Sequence, residues 1–475
     1  MILDKKTKIV ATIGPATESE KALTKLLRQG LNVVRMNFSH GDFAEHQKKI
    51  VNGRAASKKT GIPVAFLQDL GGPKIRTGEF DNDSGRVTIK KGKTFTLTAR
   101  KIKGTEEICH VGYSKLPKEI KVGHRIMLDD GKKELRVTKI KGTDIICKVV
   151  HGGELKGRRG VNLPDTEISI SSLTPKDLKD LEFGIRNKVD FVALSFVRCP
   201  KDVLELRKIL NKAGSKAHII SKIETPQAVE NIDEIIDISD GIMVARGDLA
   251  IEMPAEDVPL IQKSIINKCN HVGKPVITAT QMLESMIHTS VPTRAEVSDI
   301  ANAILDGTDA VMLSEETTLG SYPIESVEVM SRVARRVEND FLHEQLLYGS
   351  DKFNPTDVSE SVSASAVKIA HSVGAKFIVA LTNSGKTARI LSRHRSKLSI
   401  LAFSPDTNTV QKLNLNFGVA SFGIKKYTDF AHAVSDIRKA VQKKRCAIKG
   451  DKFVIVGSRP FGKSSTSNML VVEQV

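Results

Sequence analysis

Six short β-branched runs in this 475-residue chain end in side chains suited to a phosphate, a carboxylate and a metal ion. Arg35, Asn37 and Ser39 close one run two residues apart, which puts them on one face of a strand. Asp69 ends the next, Lys222 and Glu224 a third, Arg246 and Asp248 a fourth, Thr280 a fifth, Ser314 and Glu316 a sixth. Glu224 and Asp248 form a carboxylate pair for Mg²⁺ or Mn²⁺, hard cations that keep waters and bridge to substrate oxygens. Arg35 and Lys222 are the cations to clamp a phosphoryl group, whose transfer depends mainly on positioning and charge neutralisation. The backbone N–H groups of Gly247 and Asp248, just past a strand, suit a carboxylate. The implied ligand carries both phosphate and carboxylate. A single Lys or Asp at a strand end is ordinarily a rim ion pair, and a lone Ser or Thr a helix cap. The conjunction is what points to a site.

Eight runs must position these groups: 7–14, 32–39, 63–69, 190–197, 218–224, 241–248, 275–281 and 310–316. Helical periods such as 18–30 and 200–214 separate them. Continuous apolar runs alternating with helices indicate buried parallel strands, and eight such units indicate a closed (β/α)8 TIM barrel with its chemistry at the carboxyl ends of the strands. The gap before the fourth run holds alternating segments at 94–100, 125–131, 134–140 and 144–150, with no convincing helix. They predict an antiparallel β domain inserted at the barrel rim, placed to act as a lid. After a polar linker at 348–360 come a helix over 361–374, strands at 377–382, 398–404 and 451–457, and helices from Lys386 and over 429–444. This is an α/β open-sheet domain. The expected boundaries are 1–70 with 164–345 for the barrel, 71–163 for the insert and 346–475 for the last domain.

Composition narrows the class. Hydrophobic residues are 40%, charged residues 27%, and Trp is absent, so aliphatic side chains carry the cores. No apolar run is long enough to span a membrane, and the amino terminus lacks the pattern of a secretory signal. Cys109, Cys147, Cys199, Cys269 and Cys446 are scattered and form no C-x-x-C pair, which predicts reduced thiols and a cytoplasmic setting. The net charge of +18 suits either nucleic acid or anionic small molecules. The basic residues are dispersed in twos and threes with no nucleic-acid-binding motif beside them, so small anions are the expected partners.

Longer strings carry a resemblance. TKIVATIGPAT, VVRMNFSHG, GGPKIRTG, RRGVNLP, ISKIETPQAV, MVARGDLAIE, ITATQMLESM, PTRAEVSDIANAILDGTDAVMLSEET and SYPIESV, in that order, resemble the pyruvate kinase family over nearly the whole chain. The resemblance implies transfer of the phosphoryl group of phosphoenolpyruvate to ADP, giving pyruvate and ATP. It implies that Arg35 contacts the phosphoryl, that Lys222 stabilises it in flight together with the forming enolate, and that Glu224 and Asp248 hold Mg²⁺ or Mn²⁺. Gly247 and Asp248 supply amides to the substrate carboxylate, and Thr280 lies beside the enolate carbon. Asn37, His40, Arg76 and Arg159 fall in the nucleotide region, Arg159 where the family commonly has lysine. A homotetramer is the family's expectation.

The family's monovalent-cation positions fall on Asn37, Ser39, Asp69 and Leu70. Potassium-dependent members carry Glu where GGPKIRTG has Lys74, so the expectation is activity without K⁺, a fixed ammonium replacing the ion. Ala250 and Glu315 replace glycines usual in the family. Thr382, Ser384, Gly385 and Thr387, between a strand and a helix, resemble a loop that grips a phosphorylated activator, with 457–468 facing it. Two other classes fit some of the same parts: a Schiff-base aldolase-type barrel using a strand-five lysine, and a non-catalytic protein binding through its basic surface.

Overall fold

The computed structural model describes residues 4–340, 357–427, 429–459 and 466–475. Eight parallel strands close a barrel: Lys8–Thr12, Val33–Asn37, Ala65–Asp69, Phe191–Leu194, His218–Ile223, Gly241–Ala245, Val276–Ala279 and Ala310–Leu313. They are numbered one to eight below. Each lies within an expected run, and strand one pairs with strand eight to complete the circle.

Alternation along the strands builds two cores. Val10, Val33, Leu67, Ile220, Met243, Ile277 and Met312 fill the barrel interior. Their neighbours Ile9, Val34, Ile219, Ile242, Val276 and Val311 pack outward against the helices. The strands end earlier than their runs. Arg246 and Asp248 belong to the helix Arg246–Glu252, and Glu316 to the turn Glu315–Thr318. The apolar run stops at Ala245, and acidic residues in a first helical turn are favoured by the positive end of the helix dipole. Ala250 and Glu315 are both helical with ordinary negative φ, so the missing glycines cost no backbone strain.

The insert contains a six-stranded sheet and a two-stranded one. The four expected strands are present. Arg86–Ile89, Ile108–His110, Gly153–Lys156 and Val161–Asn162 were not legible, being two to four residues long. Ile108–His110 pairs parallel to Thr94–Thr98, so the sheet is not wholly antiparallel, and Leu116–Glu119 forms one helical turn where no helix was expected. Among the described residues the last domain has five strands, Val419–Gly423, Ser399–Ser404, Phe377–Leu381, Lys452–Gly457 and Met469–Gln474 in spatial order, the last antiparallel. Its first helix, Val358–Ser372, begins inside the expected linker; 348–356 lie outside the described residues.

A buried polar joint fastens this domain to the base of the barrel. Arg395 donates to both carboxylate oxygens of Asp309, at 3.0 and 2.9 Å, and lies over the Phe417 ring. Lys8, only 1% exposed, donates from Nζ to the Val419 carbonyl at 2.7 Å. All five cysteines are free, and among the described residues no helix is long and apolar enough to cross a membrane.

Candidate active site

The interior face of five strands leads directly into the site. Two residues beyond the apolar Val10, Val33, Leu67, Ala193 and Ile220 come Thr12, Arg35, Asp69, Ser195 and Lys222. The period of two keeps them pointing inward as the core gives way to the mouth.

They form one network. Arg35 donates from Nε to Asp69 Oδ2 at 2.7 Å and from Nη1 to Thr12 Oγ1 at 2.7 Å. Lys222 Nζ donates to Ser195 Oγ at 2.7 Å and lies 2.9 Å from Glu224 Oε1 and 3.3 Å from Asp69 Oδ1. Burial lowers the affinity of Lys222 for its proton, but Asp69, Glu224 and Asp248 together outweigh burial and hold the ammonium's pKa above its ordinary value. Burial likewise disfavours the Asp69 anion, yet Lys222 and Arg35 win and its pKa falls. Glu224 differs: burial, helped by the charge of Asp248, pushes it upward against the pull of Lys222.

Those last facts bear on a metal. Glu224 Oε2 accepts from the Phe196 N–H at 2.7 Å, but buried Oε1 makes no hydrogen bond of proper geometry among the described residues. A like-charged carboxylate facing it is what a divalent cation between the two would relieve. The described residues contain no cluster of three or more protein ligands. Two carboxylates are a donor set that suits a hard divalent cation whose other ligands come from substrate and water.

Thr280 breaks the interior parity, and backbone strain aims it. It has φ 73° and Gln281 has φ 54°, a conformation that a β-branched residue rarely adopts. Arg246 holds the turn: Nε donates to the Ala279 carbonyl at 3.1 Å and Nη2 to the Thr280 carbonyl at 2.8 Å. Asp299 fixes that guanidinium through two bonds, 2.6 and 2.7 Å long. The Gly247 N–H, expected to face a carboxylate, instead donates to Thr280 Oγ1 at 2.7 Å. Ser314 and Glu316 serve the backbone: Glu316 accepts from the Ser314 and Leu283 N–H groups.

The other expected residues lie around this centre. Asn37 Oδ1 accepts from the Ser39 N–H at 3.1 Å, and the Leu70 carbonyl accepts from Ser195 Oγ at 2.8 Å. Lys74 is exposed, forms no ion pair among the described residues, and lines a cavity of about 600 Å³ together with Asp248 and Glu252. Arg76 pairs with Gly160, next to Arg159, on the insert. Arg159 Nε is 3.4 Å from Asp129 Oδ1. His40 is exposed, and its carbonyl accepts from His46 Nε2 at 3.0 Å. Burial pushes His46 down to about 4, so its ring is neutral.

In the last domain Gly385, at φ 84°, donates its N–H to Thr382 Oγ1 at 2.9 Å and starts the helix Lys386–Arg393. Arg389 reaches back to the Ser384 carbonyl at 3.1 Å, and Thr387 Oγ1 meets Ser467 Oγ at 2.7 Å. Of the second loop, 460–465 lie outside the described residues. Sequence reasoning missed Thr12 and Ser195, which strand parity alone would have found. It also missed Asp299, for which sequence carried no signal.

Two family models match the chain: pyruvate kinase, barrel domain, over residues 4–327, and pyruvate kinase, alpha/beta domain, over 360–473. A pyruvate kinase of Clostridium perfringens is 44% identical over 474 residues, covering 99% of this chain and 100% of that protein. Pyruvate kinase 2 of Synechocystis is 42% identical, covering 100% of this chain and 80% of that one. Among solved structures, a pyruvate kinase from Cryptosporidium parvum superposes with a TM-score of 0.94 at 36% identity, covering 99% of this chain and 96% of that one.

Proposed function

The chain belongs to the pyruvate kinase family, and on that premise we propose how its own residues perform the family's reaction. The activity is phosphotransfer from phosphoenolpyruvate to ADP, yielding pyruvate and ATP. The observation that carries the assignment of roles is the convergence of Arg35 and Lys222 on Asp69 beside Glu224.

A terminal phosphate oxygen of ADP attacks the phosphorus, and the bond from phosphorus to the enol oxygen breaks. Arg35 neutralises the migrating phosphoryl; Lys222 spans the phosphoryl and the departing enolate oxygen. A divalent cation, Mg²⁺ or Mn²⁺, held by Glu224 and Asp248, would supply further charge neutralisation at those oxygens. The substrate carboxylate takes the Gly247 and Asp248 amides, freeing the Thr280 hydroxyl to stand beside the enolate carbon. A proton then adds to that carbon, completing pyruvate. Arg76 and Arg159 approach the nucleotide from the insert, with Asn37 and His40 from the barrel.

The finer assignments complete the reading. Lys74 substitutes for K⁺ near Asn37, Ser39, Asp69 and Leu70. The loop containing Thr382, Ser384, Gly385 and Thr387 takes a phosphorylated activator. The domains divide at 70/71, 163/164 and 345/346, the enzyme is a cytoplasmic homotetramer, and no nucleic acid or membrane takes part. The Schiff-base alternative is disfavoured because Lys222 is held as an ammonium, which is no nucleophile.

The test is a coupled assay with phosphoenolpyruvate, ADP and Mg²⁺. Wild type should turn over, and Lys222→Met should lose about 10³-fold or more while remaining folded. Unchanged turnover in that variant removes the assignment.

A further inference from the structure

The short helix Arg246–Glu252 touches substrate machinery at one end and the inserted domain at the other. Gly247 and Asp248 lie in its first turn. Its last residue, Glu252, is 8% exposed and accepts from Asn162 Nδ2 at 2.8 Å through Oε1. Asn162 belongs to the two-residue strand Val161–Asn162, the limb by which the insert returns to the barrel. That strand pairs with Arg125–Leu128. The hairpin following Leu128 comes down on the same helix: a Cβ at Gly131 would lie 3.5 Å from Ile251 Cγ2.

The return limb also bears Arg159 and pairs with the outgoing segment at Arg76. Arg159 is three residues before Asn162, Arg76 pairs with Gly160, and the Asp129 N–H donates to the Gly160 carbonyl at 3.0 Å. One chain of bonded contacts therefore runs from Arg76 and Arg159 through Asn162 to Glu252, and along about one helical turn to Asp248. Other fastenings of the limb avoid this helix. Arg198 grips the Ile168 and Ile170 carbonyls from the far side, so the limb's overall anchorage does not depend on Glu252.

The geometry points to Glu252 as a positioning residue for phosphoryl transfer: a latch that sets the nucleotide-side arginines of the inserted domain against the helix bearing Asp248. It touches no reacting atom. It acts by fixing where the limb rests, and a shift of about an ångström between the two substrates' binding groups is enough to slow a reaction that depends on in-line approach. Glu252→Ala leaves the part-buried Asn162 amide without its acceptor, so the limb should drift to rehydrate it.

The inference rests on the phosphoryl-transfer reading. The wild-type coupled assay tests that reading by itself, because a folded wild type without turnover sinks the reading and not the latch alone. With turnover established, Glu252→Ala and Asn162→Ala should each raise the KM for ADP about tenfold. The double variant should be no worse than either single one, since both remove the same bond. Glu252→Gln, which keeps an acceptor for Asn162, should stay near wild type. Hydrogen exchange over 157–171 should quicken in both alanine variants at an unchanged thermal midpoint. If Glu252→Ala does not fold, Asn162→Ala and Glu252→Gln carry the test. A wild-type KM for ADP in a folded alanine variant overturns the latch, as do additive losses in the double variant.

Discussion

Arg35 and Lys222, from barrel strands two and five, are tied through one carboxylate: Asp69 Oδ2 is 2.7 Å from Arg35 Nε and Oδ1 is 3.3 Å from Lys222 Nζ. Both cations are nearly buried, and Asp69 is 1% exposed, so the spacing between them is set by a group that solvent barely reaches. A phosphoryl in flight needs its positive partners already in place, because reorganising them at the moment of transfer adds to the barrier. Asp69 supplies that preorganisation.

Replacing it tests the point. Asp69→Asn keeps the shape but leaves two buried cations sharing one fewer negative charge. Turnover should fall about 100-fold with substrate KM values rising less, because the lost interaction matters most in the transition state. Steady-state kinetics at pH 7 measures it. An equal rise in both KM values at unchanged kcat sinks the argument.

Thr280 combines a strained φ of 73° with a hydroxyl that accepts from the Gly247 N–H. Thr280→Ser keeps the hydroxyl and sheds the β-branch that makes this conformation costly, so activity should remain within about threefold and stability should rise slightly. Thr280→Ala removes the acceptor and should lower kcat about tenfold or more. Arg246→Lys, which loses both the paired bonds to Asp299 and the grip on two carbonyls, should resemble the alanine variant although Thr280 is intact. Comparing kcat across the three decides whether the turn or the hydroxyl is the sensitive part.

How far sequence reached is visible in these same residues. Arg35, Asp69, Lys222 and Glu224 were legible because barrel strands alternate strictly, and polar residues that continue the interior face past an apolar core have nowhere to point but the mouth. Asp248 stands just past the sixth strand, as expected, but in the first turn of a helix rather than on the end of the strand itself. Thr280 owes its direction to two successive positive-φ residues, which a β-branched side chain does not advertise. The insert's two- to four-residue strands and the edge strand Met469–Gln474 are shorter than a pattern, or owe their form to a partner strand. Contacts such as Arg246 with Asp299 and Lys8 with Val419 join distant segments, and no local signal encodes them.

Lys74 offers a test against salts. Its ammonium is exposed and forms no ion pair among the described residues, on a cavity wall shared with Asp248. Wild-type turnover should persist when K⁺ and Na⁺ are replaced by a tetraalkylammonium salt. Lys74→Glu should lose about tenfold there and regain it with added K⁺. A wild type that collapses without K⁺ and recovers only with it rules out the substitution.

Lys8 links pH to the joint beneath the barrel. Burial first, then the neighbouring Lys5 charge, depress its pKa from 10.5 to about 7, against weaker upward pulls from Glu338 and Asp309. Between those limits the unfolded chain carries a proton that the folded chain has released. Unfolding then takes up protons, so stability rises with pH by up to about 1.4 kcal/mol per unit from this one group. Below pH 7 both states are protonated, the slope vanishes, and the folded state bears the full cost of a buried ammonium. Lys5, depressed by burial to about 8, adds a slope of the same sign over a narrower window. The thermal midpoint should therefore climb from pH 7 to pH 9. Lys8→Met removes the larger titration and the burial cost while leaving the Val419 carbonyl without its donor. Its midpoint should exceed wild type at pH 7, and the gap should shrink or reverse by pH 9. Calorimetry of both proteins across that interval checks it, and parallel curves for the two would mean that Lys8 does not titrate at the joint.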